Sequence, residues 1–216
     1  IAPWNFPTMN ALLKVAPALA AGNCVVLKPS ELASRSAIRL AQLAIEAGIP
    51  PGVFNVVPGI GETVGQALGL HPDVDMLTFT GSTNIGKRML QYAGQSNMKK
   101  VIAECGGKSP QIVFADGVDL DAAADAIAGS ILTNQGQVCI AGSRLLVEKK
   151  IETILIDKIV DRFKDIVMGD PLDPSTTYGP IVTEQQCNKV MEFIIRGCEA
   201  DAELVCGGKR ALQETG

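Results

Sequence analysis

The sequence is poor in the residues on which many kinds of functional site depend. It has a single histidine, His71, and none of its six cysteines forms a CxxC pair, so the ligand pattern of a Cys/His zinc site is missing and no metal is predicted. Aromatic residues make up only 4% of the chain and no basic stretch stands out, which argues against a general nucleic-acid-binding surface. No apolar run reaches the ~20 residues that a membrane-spanning helix needs.

What is present is the composition of a globular chain with a large core. Of its 216 residues 47% are hydrophobic and 19% charged, and the formal net charge is −4. The six cysteines are irregularly spaced, which favours reduced thiols over a disulfide framework and predicts a cytoplasmic location. The chain begins at Ile1 and ends at Gly216 without a recognisable terminal feature, so we predict an internal piece of a longer protein.

Short apolar strands alternate with amphipathic helices along the whole chain, a pattern typical of an open parallel α/β sheet. The predicted strands are 24–27, 53–57, 75–79, 100–104, 111–114, 144–148 and 203–206. The predicted helices are 8–21, 36–47, one after Gly59 ending near 70, one ending near 93, 119–133, 151–167 and 183–200. We expect Pro17 to kink or restart the first helix. The adjacent glycines 106 and 107 suggest a boundary between a domain at 1–106 and a second domain at 107–216.

Four loops follow the carboxyl ends of the first four predicted strands, the edge at which open α/β sheets bind ligands. After the first strand, Lys28 and Glu31 could hold a ribose, with the carboxylate accepting from the sugar hydroxyls. Such a carboxylate would repel a 2′-phosphate and so favours NAD over NADP. An exposed Lys/Glu turn is about as common, and the residues alone leave both interpretations open.

Two of these loops nearly match nucleotide-binding motifs. The spacing of Gly59, Gly61 and Gly65 is one residue longer than the dinucleotide fingerprint allows before its third glycine. A plain turn before a helix explains these glycines equally well. Residues 81–87 nearly match a P-loop, but Arg88 occupies the position where a hydroxyl should hold Mg²⁺. That substitution argues against an ATPase, although both loops still offer a helix N-terminus that suits a phosphate.

The fourth loop and a later cysteine suggest covalent chemistry. Cys139 lies between Gly136 and Gly142, and a cysteine flanked by valine and isoleucine is by itself more often a small buried hydrophobe. No histidine lies nearby in sequence, which disfavours a Cys–His hydrolase. A cysteine paired with Glu104 beside a dinucleotide fits another reaction, in which a thiolate adds to an aldehyde and a carboxylate later activates water.

The chain closely resembles the NAD(P)-dependent aldehyde dehydrogenase superfamily over nearly all of its length. Six segments carry the resemblance, in the order and at the approximate spacing of the family: 3–7 (PWNFP), 28–31 (KPSE), 51–59 (PGVFNVVPG), 79–83 (FTGST), 104–110 (ECGGKSP) and 134–139 (NQGQVC). The family's fold implies an incomplete Rossmann-like cofactor domain followed by an incomplete α/β catalytic domain.

The resemblance also implies roles for individual residues. Cys139 would be the nucleophile, Glu104 the general base for deacylation, and Asn5 a side-chain donor to the oxyanion beside the backbone N–H of Cys139. The NAD cleft would be lined by Trp4, Lys28, Ser30, Glu31, Gly59, Gly81, Ser82 and Gly86. NAD is the expected cofactor, with NADP as the alternative. The parent protein would be a homodimer or homotetramer that acts on a small aldehyde.

Two departures from the family pattern stand out. Cys105 occupies the position after the glutamate where the family usually has leucine, and the later glutamate-phenylalanine motif that holds the nicotinamide ribose is missing. We therefore expect this chain alone to be inactive. Three alternatives remain: a P-loop-like nucleotide-binding protein, a non-catalytic relative, and the branch that transfers the acyl group to coenzyme A, which typically lacks the glutamate. Residues 134–144 most resemble enzymes of amino- or hydroxy-substituted aliphatic aldehydes.

Overall fold

The computed structural model describes residues 1–212 and divides into two compact units, the first Ile1–Gly106 and the second beginning at Gly107. The first unit contains α1 (Pro7–Ala20), β1 (Val25–Leu27), α2 (Arg35–Glu46), β2 (Phe54–Val56), a π turn (Gly61–Gly65), α3 (Gln66–Leu70), β3 (Met76–Gly81), α4 (Thr83–Gln95) and β4 (Lys100–Cys105). The second contains β5 (Pro110–Val113), α5 (Leu120–Leu132), a 3₁₀ turn (Thr133–Gly136), β6 (Arg144–Val147), a 3₁₀ turn (Lys149–Ile151), α6 (Glu152–Lys164) and α7 (Glu184–Glu199).

All strand pairs are parallel, which confirms the α/β class predicted from the sequence. β1 pairs with β2, β3 with β4, and β5 with β6. In the first unit, residues 1 and 2 lie between the β1–β2 pair and the β3–β4 pair. The N–H of Ala2 donates to Lys28 O (2.9 Å) and that of Thr80 to Ile1 O (3.2 Å). The four strands therefore run side by side, and their carboxyl ends lie along one edge.

Each unit has its own apolar core, formed where helices cover a strand pair. In the first unit, Leu27 and Phe54 are buried against α1 and α2, and Phe79 packs with Met89 of α4. In the second, Leu155 of α6 is fully buried against α5. Burial alternates along β5 and β6, as expected for strands covered by helices on one face.

Three local predictions differ from the structure. The first helix continues through Pro17 rather than restarting there, and Pro17 lies exposed in its last turn. The helix predicted after Gly59 opens as a π turn and becomes α-helical only from Gln66. The strand predicted at 203–206 is wrong. Within residues 1–212 no strand lies beside it to bond its backbone, and Leu204 and Val205 are more than half exposed.

In the described part of the chain, no helix combines the length and the apolar character needed to cross a membrane. All six cysteines fall within residues 1–212, and each carries a free thiol.

Candidate active site

The loop after β1 presents a buried cation beneath an exposed carboxylate. Only 4% of the Lys28 side chain is accessible, against 50% for Glu31. Lys28 Nζ donates to Pro29 O (3.0 Å) and lies 3.4 Å from Glu31 Oε2. Ser30 Oγ accepts from Leu32 N (3.3 Å), which fixes the turn between them. The loop therefore offers a carboxylate acceptor at the surface and a lysine donor behind it, the pair expected for a sugar diol.

The loop after β2 explains why the glycine spacing fits the dinucleotide fingerprint imperfectly. Residues 61–65 form a π turn, which holds one more residue per turn than an α-helix. Gly59 has φ +148°, and a Cβ there would lie 2.5 Å from Val64 Cγ2. The extra residue before Gly65 is thus absorbed by the wider turn, and Gly59 must be glycine because the turn folds back over it.

The start of α4 is held tightly against β3 and β4. Ser82 caps the helix, its Oγ accepting from Ile85 N (3.4 Å). Gly86 is buried, and a Cβ there would lie 2.8 Å from Cys105 Sγ. Gly81 is the last residue of β3 and packs directly on the Phe79 ring. These close contacts aim the N-terminus of a 13-residue helix at the strand ends, the usual arrangement for binding an anion.

Glu104 is exposed at the end of β4, directly opposite Thr80 of β3. Thr80 in turn accepts a hydrogen bond from Lys14 Nζ (2.6 Å). Burial lowers the pKa of Lys14, and the nearby Glu104 charge acts in the opposite direction. Lys14, Thr80 and Glu104 therefore form one polar group at the strand edge.

Lys14 is a candidate functional residue that the sequence reasoning missed. It is the only charged residue of α1, and it lies beside the buried positions Ala11 and Val15. A lone charge on the packed side of an apolar helix was the signal that could have found it. Its partners, Thr80 and Glu104, are distant in sequence, and no local sequence pattern indicates that they lie near Lys14.

Trp4 and Asn5 lie in the bend before α1, and both are half-buried. Asn5 O accepts from Asn10 Nδ2 (2.8 Å), and Phe6 adopts a left-handed backbone with φ 49°. Pro7 then begins the helix. The bend is thus fixed from within, and Asn5 is presented at a defined point of the first unit.

Cys139 lies in a turn of the second unit and is exposed, so its thiol is not part of the core. The far side of its loop is held at Gly142, whose N–H donates to Ser130 Oγ (3.0 Å) and whose carbonyl accepts from Gln111 Nε2 (2.9 Å). A Cβ at Gly107 would lie 3.4 Å from Cys139 O. The thiol is therefore accessible to solvent, on a loop whose backbone is held by side-chain hydrogen bonds.

The chain is similar to known proteins along its full length. Residues 1–216 match the model of the Aldehyde dehydrogenase family. The chain is 51% identical over 211 residues to the NADP/NAD-dependent aldehyde dehydrogenase PuuC of Escherichia coli K12, covering 98% of this chain and 42% of the relative.

Two solved structures have nearly the same backbone. A variant of the indole-3-acetaldehyde dehydrogenase AldA of P. syringae, in complex with NAD+ and IAA, superimposes with a TM-score of 0.96 at 56% identity, covering 99% of this chain and 43% of its own. The gamma-glutamyl-gamma-aminobutyraldehyde dehydrogenase of Burkholderia cenocepacia J2315 gives 0.95 at 54% identity, with the same coverage. The chain spans about two fifths of the length of these relatives, and it belongs to the aldehyde dehydrogenase family.

Proposed function

We propose that this chain supplies the nucleophile and most of the cofactor-contacting loops of an NAD(P)-dependent aldehyde dehydrogenase, which oxidises an aldehyde to a carboxylic acid. The observation that carries the proposal is the exposed thiol of Cys139 on a fastened loop, in a chain matched by the family throughout. A buried, loosely held cysteine would have favoured a structural role instead.

The residues present fit a dinucleotide. Glu31 and Lys28 offer an acceptor and a donor for the ribose hydroxyls, and the capped N-terminus of α4 suits the phosphates. Gly81 and Gly86 allow β3 and the start of α4 to pack closely against Phe79 and Cys105. The AldA structure contains NAD+, and PuuC is named for both NADP and NAD. The carboxylate of Glu31 favours NAD.

The reaction begins when the Cys139 thiolate adds to the aldehyde carbonyl, forming a carbon–sulfur bond and an oxyanion. The side-chain amide of Asn5 and the backbone N–H of Cys139 donate to that oxyanion, and losing one such donor typically slows a reaction by ~10²–10³. A bound nicotinamide would supply the acceptor for the hydride that leaves the same carbon, and Cys139 would then carry a thioester. Glu104 then takes a proton from water, the water attacks the thioester carbon, and the thiolate departs.

Lys14 places its amino group beside Glu104 during the last step. Its bond to Thr80 fixes the amino group, and its lowered pKa lets it lose its own proton more readily than an ordinary lysine, so that the neutral amine can accept the proton from Glu104. We propose that Lys14 helps Glu104 to release the proton taken from water. The presence of Glu104 favours hydrolysis over transfer of the acyl group to coenzyme A.

For substrate, we propose amino- or hydroxy-substituted aliphatic aldehydes. Support comes from the gamma-glutamyl-gamma-aminobutyraldehyde dehydrogenase of B. cenocepacia, 54% identical to this chain. We further propose that the full protein is a cytoplasmic homodimer or homotetramer. We also propose that the 216 residues alone do not catalyse aldehyde oxidation. The free thiols agree with a reducing compartment.

The test is an aldehyde panel assayed with NAD and with NADP on the full-length protein, with Cys139→Ala as the control variant. We expect oxidation of at least one substituted aliphatic aldehyde by the parent and none above background by the variant. Activity that survives in Cys139→Ala would overturn the mechanism, and turnover by the isolated chain would overturn the proposal that it is inactive alone.

A further inference from the structure

The near side of the Cys139 loop begins with an unusual backbone. Asn134, Gln135 and Gly136 have φ values of 49°, 57° and 70°, so three consecutive residues are left-handed, separated from the end of α5 by Thr133 alone. Glycine adopts this conformation freely and asparagine tolerates it, but glutamine rarely does. Such a turn persists only where its surroundings hold it in place.

Part of that support comes from within the turn. The backbone N–H of Gln137 donates to Asn134 O (3.0 Å), and Gln137 Nε2 donates to the same oxygen (3.3 Å). Asn134 Nδ2 donates in return to Gln137 O (3.2 Å). The side chains of Asn134 and Gln137 thus close the turn from both ends.

The remaining support comes from a distant segment of the second unit. Gln137 Oε1 accepts from Val182 N (3.0 Å). With its amide oriented to satisfy its neighbours, Gln135 Nε2 donates to Asn134 O (3.3 Å) and Gln135 Oε1 accepts from Gly179 N (3.1 Å). We call these two contacts, Gln135 with Gly179 and Gln137 with Val182, the glutamine clasp.

The segment gripped by the clasp is itself fixed on both sides. Before it, the N–H of Tyr178 donates to Val167 O (3.1 Å), and Val167 N donates to Thr177 Oγ1 (2.9 Å). After it, Thr183 caps α7 by accepting from Gln186 N (3.2 Å). Residues 179–182 are therefore a firm support and not a free loop.

We infer that the glutamine clasp is a positioning device for the nucleophile, with Gln137 as its central residue. Cys139 follows Gln137 by two positions, so the bond to Val182 fixes the backbone that carries the thiol and its N–H. The inference rests on the proposed function of Cys139. Because misplacement of a reacting group by about 1 Å can cost ~10²-fold in rate, loss of the clasp should slow the reaction without touching the cofactor loops.

The experiment compares three variants in the full-length protein. Gln137→Met keeps the length of the side chain but removes both hydrogen-bonding groups. Gln137→Glu keeps an acceptor for Val182 N and replaces the donor to Asn134 O with a carboxylate oxygen. Gln185→Met is the matched control, since Gln185 is exposed on α7. Each is measured for kcat, for KM with NAD, for the iodoacetamide alkylation rate of Cys139, and for thermal unfolding.

We expect Gln137→Met to lower kcat by about tenfold or more and to change the alkylation rate of Cys139, with the KM for NAD unchanged. Gln137→Glu should retain more of kcat than Gln137→Met because it keeps the bond to Val182 N, and Gln185→Met should match the parent. The inference is wrong if folded Gln137→Met has the same kcat and the same alkylation rate of Cys139 as the parent. It is also wrong if Gln185→Met loses as much of kcat as Gln137→Met does. If Gln137→Met does not fold, Gln135→Met takes its place, and parental kcat and alkylation in that variant overturn the inference in the same way.

The two proposals fail in different ways. If Cys139→Ala retains aldehyde oxidation, the proposed function is wrong, yet alkylation of the parent and of Gln137→Met still reports whether the clasp controls the thiol. If Cys139→Ala is inactive while Gln137→Met behaves as the parent, the function stands and the clasp does not position the nucleophile.

Discussion

Replacing Gly86 with alanine tests the close packing of α4 against the carboxyl end of β4. The added Cβ would lie 2.8 Å from Cys105 Sγ and 3.7 Å from both Ala103 Cβ and Phe79 Cε1. Overpacking of this kind costs about 1–3 kcal/mol. Replacing glycine with alanine in a helix interior stabilises the helix by about 1 kcal/mol, which offsets part of that cost. We therefore expect a net loss of ~1 kcal/mol in the free energy of unfolding, together with weaker NAD binding as the helix is pushed outward.

Two further variants separate the clash from the helix propensity. Gly94 lies in the same helix, is exposed and has no atom within 4 Å of an added Cβ, so Gly94→Ala should stabilise by about 0.5–1 kcal/mol. Cys105→Ala removes the sulfur that the new methyl group meets. In that background Gly86→Ala should be neutral or stabilising, and urea unfolding of the four proteins measures the coupling as a double-mutant cycle.

The reasoning fails if Gly86→Ala stabilises the parent as much as Gly94→Ala does. It fails equally if the loss from Gly86→Ala is the same with and without the Cys105 sulfur. Either result would mean that the helix moves away freely, and the close approach of α4 to β4 would then not be what fixes its N-terminus.

Three other substitutions test the remaining polar groups. Glu31→Gln should raise the ratio of NADP to NAD specificity by about tenfold, equivalent to ~1.4 kcal/mol, when kcat/KM is measured with both cofactors; an unchanged ratio would remove Glu31 from the ribose site. Lys14→Met should slow thioester hydrolysis by about tenfold, seen in burst kinetics as a slower steady state after an intact burst. Burial lowers the pKa of Lys99 below its ordinary 10.5, so the unfolded chain holds that proton more tightly and stability should rise with pH up to 10.5; urea unfolding of Lys99→Met should lack this rise.

Much of the fold could be predicted from the sequence because the patterns that indicate its strands and helices are local. The apolar run before Lys28 and the run ending at Glu104 each needed only a short window to be recognised as strands, and both are strands in the structure. The glycine-containing loops between elements made the parallel arrangement predictable, since each strand is followed by a helix. The comparisons confirm the fold class, whereas the roles of the site residues remain proposals.

What sequence reasoning missed depends on contacts between distant residues. Leu204 and Val205 have the composition of a strand, but a strand also requires a neighbour to bond with, and composition does not supply one. Lys14 gains its significance from Thr80, and Gln137 from Val182, partners that no local pattern indicates. The left-handed turn before Cys139 was hidden for the same reason, because a glutamine in that conformation is stable only through its tertiary bonds.

The pairing of the strands has a consequence for how the protein is made. The strands pair two by two, β1 with β2, β3 with β4 and β5 with β6, so each pair joins strands that are consecutive in the sequence. Such neighbours can associate soon after they leave the ribosome, and domains generally fold in the order of synthesis. The bond between Ile1 and Thr78 is different, because it joins residues 77 positions apart. Residues 1 and 2 can lie between β1 and β3 only when β3 has emerged, so the joining of the β1–β2 pair to the β3–β4 pair should be a late event in the folding of the first unit.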